Sequence, residues 1–104
     1  MNSRAKGARC EREWAQFLKD HGVSARRGQQ FSGSPDSPDV VSILPVHFEV
    51  KAVERGDVHR WIQQAMLDAG PLPPVVAHKK NRTGWLVTMR AEDWIKLCER
   101  ASWF

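Results

Sequence analysis

Pro38-Asp39-Val40-Val41-Ser42-Ile43-Leu44-Pro45-Val46-His47-Phe48-Glu49-Val50-Lys51 is the stretch on which the fold turns. It holds two short apolar runs, Val40–Leu44 and Val46–Val50, with Pro45 as a turn between them. Side chains alternate faces along a strand, so Glu49 and Lys51 share one side and Val50 takes the other. If the two runs pair as a tight hairpin, Asp39 comes beside Glu49. Close carboxylates raise each other's pKa, and a hard divalent cation with oxygen ligands removes that penalty. The backbone carbonyl of Val50 is a further oxygen at the same place. Lys51 can then orient an attacking water or steady charge on a phosphate, which is the arrangement expected for metal-dependent phosphodiester hydrolysis. A bare E-x-K triplet equally describes a solvated strand face with an ion pair. Asp36 also follows a proline, but Ser37-Pro38 comes after it and marks a turn, whereas Asp39 opens a strand.

Working outward, residues 5 to about 21 read as a helix, with Cys10, Trp14, Phe17, Leu18 and His21 at helical spacing and Gly22 as its stop. Val23–Arg27 is a short strand, and Gly28–Pro38, rich in Gly, Ser, Pro and Gln, is a loop leading into Asp39. Past the central stretch, Val58–Ala69 is a second helix, closed by Gly70-Pro71. Pro74–His78 is a buried strand, Lys79–Thr83 a basic turn and Gly84–Thr88 the returning strand. Ala91–Arg100 is a third helix, with Trp94, Ile95 and Cys98 as its expected buried stripe. This order describes a small α/β domain, a mixed central sheet flanked by helices.

A chain of 104 residues suits one domain spanning 1–104. No apolar run is long enough for a membrane helix, and the N-terminus carries no signal-peptide pattern. Cys10 and Cys98 form no C-x-x-C pair, which points away from zinc and towards an intracellular setting. His21, His47, His59 and His78 are scattered without ligand spacing. The formal charge of +4 is compatible with a polyanionic partner. Its placement says more. Arg26-Arg27 and the run His78–Arg82, with Lys79, Lys80 and Arg82, are dense basic segments suited to phosphates; solvated turns would look the same.

Two helices add candidates. On the first, Glu11 and Glu13 flank the apolar stripe almost symmetrically, so periodicity does not choose between them. On the second, Val58, Trp61, Ile62, Ala65 and Ala69 form the stripe. Gln64 lies at its margin, where it can reach a water or phosphate, while Gln63 points nearly opposite. Trp14, Trp61, Trp85 and Trp94 fit core positions. Trp103-Phe104 have no evident partner within so small a domain.

Taken together, K-G-A-R-C-E-R-E-W at 6–14, S-A-R-R at 24–27, S-G-S at 32–34, P-D-V-V at 38–41, E-V-K at 49–51 and W-I-Q-Q-A at 61–65 carry a resemblance. The chain resembles the archaeal-type Holliday junction resolvases and their phage-encoded relatives, in the PD-(D/E)XK nuclease superfamily. The resemblance implies an α-β-β-β-α-β core of restriction-endonuclease type. It places the glutamate of the family's E-R pair on Glu11, the strand-opening aspartate on Asp39, the E-x-K pair on Glu49 and Lys51, and the glutamine before alanine on Gln64. The family's basic position falls on Arg26 or Arg27. Implied with these are Mg²⁺ as cofactor (Mn²⁺ as substitute), branched or four-way DNA as substrate, a homodimer, and a cytoplasmic setting in a bacterial or phage-infected cell. Two other readings stand beside it: a nuclease of the same fold acting on flaps, nicks or ends, and a catalytically silent DNA-binding module.

Overall fold

The computed structural model describes residues 3–28 and 38–104. Its elements run α1 (Ser3–Asp20), β1 (Ala25–Arg27), β2 (Val40–Ser42), β3 (His47–Lys51), α2 (Val58–Ala69), β4 (Pro74–His78), β5 (Leu86–Met89) and α3 (Ala91–Arg100). The expected order of elements is therefore the observed one. The five strands lie in sequence order across one sheet. β1–β2, β2–β3 and β4–β5 are antiparallel; β3–β4 is parallel, with α2 as the crossover.

Local chemistry sets the boundaries. α1 ends where Gly22, at φ 86°, donates to Lys19 O and Val23 donates to Leu18 O. This doubled closure needs a residue in the left-handed region, which glycine supplies. Asp57 caps α2, its Oδ1 accepting from the amides of His59 and Arg60 at 3.0 and 3.3 Å. The β2–β3 connection is wider than a tight turn at Pro45: the strands stop at Ser42 and resume at His47. Leu44 N bonds to Ser42 Oγ, and Val46 N to Leu44 O, so backbone groups of this connection find local partners.

β4 is buried along Pro74–Ala77 because both sheet faces are covered there. On one face Trp14, Ala15 and Leu18 of α1 pack with Val40, Phe48, Val75 and Ala77. Trp14 stacks on Phe17 at 5.2 Å and meets Phe48 edge-on at 5.5 Å. Buried Ala65 and Ala69 let α2 approach the other face closely. Strand alternation puts Phe48 on the α1 side and His47, Glu49 and Lys51 on the α2 side.

Three sequence expectations are corrected. Of the expected stripe on α3 only Cys98 is buried; Trp94 and Ile95 are 49% and 42% exposed, and Asp93 is buried in their place. Asp93 is held by Arg90, Nε to Oδ2 at 2.9 Å, which satisfies the buried carboxylate. Trp61 is half-buried, not a core residue, and Val58 is exposed. The strands β1 and β5 also start two residues later than the apolar runs suggest, at Ala25 and Leu86.

Candidate active site

Asp39 sits one residue before β2, and its amide donates to Phe48 O at 2.9 Å. That ladder bond brings its side chain to β3, where Oδ2 accepts from the Val50 amide at 2.8 Å. Glu49 projects from the neighbouring strand, with Oε1 2.9 Å from His47 Nε2. Glu11, Asp39, Glu49, Val50, Lys51 and Gln64 all line one cleft of about 270 Å³, completed by Trp61, Ala65 and Asp68 of α2. The five side chains expected to do chemistry thus converge, although they come from α1, the start of β2, β3 and α2.

The electrostatics of the carboxylate pair are uneven. Burial, the hydrogen bond with Glu49 and the charge of Glu49 push Asp39 up to about 8, against the opposing pull of the Val50 amide. Glu49 is lowered. Burial would raise it, but hydrogen bonds from His47 and Asp39, with the charge of Lys51, outweigh that effect. Asp39 therefore holds a proton more readily than Glu49, because two adjacent half-buried anions repel. Such a pair fits a hard divalent cation, whose charge replaces the proton and whose preferred donors are oxygens. Among the described residues no group of three or more His, Cys, Asp and Glu is gathered as a ready-made metal cage.

Helical periodicity left Glu11 and Glu13 tied, the resemblance chose Glu11, and Arg26 and Arg27 stayed open. Glu11 lines the cleft, while Glu13 bonds Lys79 at 3.3 Å outside its lining. Arg27, not Arg26, meets the site: its Nε donates to Glu11 Oε1 at 2.7 Å. The Glu11 side chain is 13% exposed and that of Arg27 43%, so the guanidinium sits at the rim. Arg26, Lys79, Lys80 and Arg82 do not line the cleft. Lys79 lies 5.1 Å above the Trp85 ring, and Lys80 and Arg82 are exposed on the β4–β5 turn. The S-G-S segment at 32–34 and Asp36 lie outside the described residues. At the base of that segment Gly28 N donates to Asp39 O at 2.8 Å, and a Cβ at position 28 would collide with the Pro38 carbonyl.

His47, Trp61 and Asp68 belong to the site and were not read as such from the sequence. The signals were present. His47 lies two residues before Glu49 on one strand face, and Asp68 lies one helical turn after Gln64.

Comparison with known proteins places the chain in a family. The family described as archaeal Holliday junction resolvase (Hjc) matches residues 2–93. Among solved structures, the Hjc Holliday junction resolvase from the hyperthermophile Archaeoglobus fulgidus superposes with a TM-score of 0.58 at 26% identity. That match covers 81% of this chain and 72% of the other. No curated protein matches. With a family match over residues 2–93, the chain belongs to the archaeal Holliday junction resolvases.

Proposed function

We propose that the protein is a divalent-metal-dependent endonuclease that cuts four-way DNA junctions, with Mg²⁺ as its working cation and Mn²⁺ as a substitute. The observation that carries this reading is the convergence of Glu11, Asp39, Glu49, Lys51 and Gln64 on one cleft. Asp39 and Glu49 would hold the cation, with the Val50 carbonyl as a further oxygen and Glu11 nearby, directly or through water. When bound, the cation supplies positive charge to the scissile phosphate and lowers the pKa of an attacking water. Lys51, on the Glu49 face of β3, positions that water or steadies charge on the phosphate. Gln64 reaches across from α2 to orient water or a phosphate oxygen. Arg27, braced by Glu11, presents its guanidinium at the cleft rim, where a bidentate contact to phosphate is favoured. Arg26, Lys79, Lys80 and Arg82 would hold phosphates away from the cut, giving salt-dependent affinity.

The substrate's two-fold symmetry asks for two sites, so the proposed working unit is a homodimer. The support is family membership together with exposed Trp94, Ile95, Leu97, Trp103 and Phe104 at the C-terminal end. The test is cleavage of matched linear, flap and four-way DNA with Mg²⁺ present or chelated. Paired, symmetric nicks confined to the four-way substrate are expected. Equal cutting of flaps would replace this reading with a general branched-DNA nuclease, and binding without any cutting would make it a silent DNA-binding module.

A further inference from the structure

His47 stands apart from the other histidines. Its side chain is only 3% exposed, it lies at the start of β3, and its Nε2 is 2.9 Å from Glu49 Oε1. On β4, Pro74 lies beside His47 and Val76 beside Glu49, both fully buried, and the buried Ala65 of α2 lines the cleft with Glu49. A polar ring in such a place requires a partner, since an unmet hydrogen bond is unfavourable there. The partner could have been any nearby carbonyl; it is the carboxylate at the head of the cleft.

We propose that His47 is a positioning residue, whose Nε2–H donates to Glu49 Oε1 and fixes the orientation of that side chain for the cation. The direction of the hydrogen bond follows from that role: a carboxylate oriented to ligate a cation accepts from its neighbours, so the hydrogen lies on Nε2. Donors that bond to a ligating carboxylate set its orientation and tune its affinity for a cation. Here the donor is on the same strand as the carboxylate, two residues away, so the backbone of β3 sets their spacing. Oε1 is engaged, and Glu49 loses the rotamer freedom that it would otherwise surrender on binding a cation. A histidine present only to fill the core would do none of this, and a leucine would replace it without consequence at the site.

The inference rests on the proposed binding of a cation by Asp39 and Glu49, and its test separates the two. Mn²⁺ binding is measured by titration calorimetry on the whole protein and on His47→Leu and His47→Gln, with thermal melting of each. Glutamine keeps an N–H donor at nearly the same reach; leucine keeps the volume without it. His47→Leu should bind Mn²⁺ about 10–100-fold more weakly, and His47→Gln should stay within about three-fold of the parent. Affinities in both variants equal to the parent's would overturn the proposal. Should His47→Leu fail to fold, ¹⁵N NMR of the imidazole in the unaltered protein decides. A directly bonded hydrogen on Nε2 supports the proposal, and a bare Nε2 overturns it. A parent chain that binds no Mn²⁺ while Nε2 keeps its hydrogen sinks the cation reading and leaves the His47–Glu49 contact standing.

Discussion

At the scale of single residues, Asp39 carries an internal conflict that a cation resolves. In the metal-free protein its pKa is about 8, against 3.8 for the ordinary group. A carboxyl raised on folding contributes stability that is fully present below the unfolded value and is lost as pH rises through the folded one. Glu49 works the other way, but its contribution is complete above its ordinary value of 4.5. Between about pH 5 and pH 9, Asp39 alone of the pair makes metal-free stability fall. Asp39→Asn removes that fall while keeping an acceptor for the Val50 amide. Its melting temperature relative to the parent should climb across this window, and Mn²⁺ should reverse the gap by stabilising only the parent. A pH-independent difference would mean that the pair is not strained. The same variant should bind junction DNA and not cut it. Lys51→Ala should slow single-turnover cleavage by about 10²–10³-fold, the effect of losing one preorganised charge-stabilising group; a near-normal rate would leave Lys51 a structural ion-pair partner. How legible these roles were depends on the contact. Asp39, Glu49 and Lys51 could be read because strand alternation fixes their face within one short stretch. Periodicity alone could not separate Glu11 from Glu13, which took the resemblance, and nothing separated Arg26 from Arg27, because the bond that does so joins residues 16 positions apart. His47 was passed over because its partner is a carboxylate, whereas ligand spacing looks only for other metal-binding side chains.

At the scale of elements, α2, β4 and α3 were legible to the residue, with Gly70-Pro71 and the prolines that follow marking where α2 closes and β4 begins. What failed was burial on α3. Its apolar residues repeat at helical spacing, so they looked like a core stripe, but Trp94 and Ile95 stay 49% and 42% exposed. Amphipathic spacing reports that a face needs cover, not which surface provides it. The β4–β5 turn makes the opposite point. It is held by Asn81 N to Glu54 Oε1 at 2.8 Å and by Thr83 Oγ1 between Lys80 N and Lys80 O, and Arg82 adopts φ 63°. A turn so fixed presents Lys80 and Arg82 with little freedom left to lose on binding. Neutralising either should lower the slope of log K against log salt for junction binding by about one unit. Unchanged slopes for both, in fluorescence-anisotropy titrations across a salt series, would make this a solvated turn and nothing more.

At the scale of the whole molecule, the catalytic cleft and the uncovered apolar surface belong to different parts of the fold. Described residues of the cleft come from α1, β3 and α2 and the start of β2, whereas Trp94, Ile95, Leu97, Trp103 and Phe104 cluster on α3 and the tail after it. The tail is tied down at its backbone: Ser102 takes φ 58°, and Trp103 N donates to Cys98 O at 3.1 Å. Its rings are nevertheless 71% and 76% exposed. An ordered backbone carrying two exposed aromatic rings is poorly explained as fraying and well explained as one side of an interface. On the proposed function a second copy would be the occupant, since two symmetric cuts call for two sites related by a two-fold axis. The interface should bury about 1,200–2,000 Å² in total if it is stable. Trp94→Glu places a charge at the centre of this surface and leaves every residue lining the cleft in place. Sedimentation equilibrium at micromolar concentration should find a dimer for the parent and a monomer for Trp94→Glu. Because each subunit keeps its own site, the variant should still nick the four-way substrate but lose the pairing of its nicks. A parent chain that remains monomeric both alone and on a four-way junction would remove the dimer, and a dimer unaffected by Trp94→Glu would move the interface to another face.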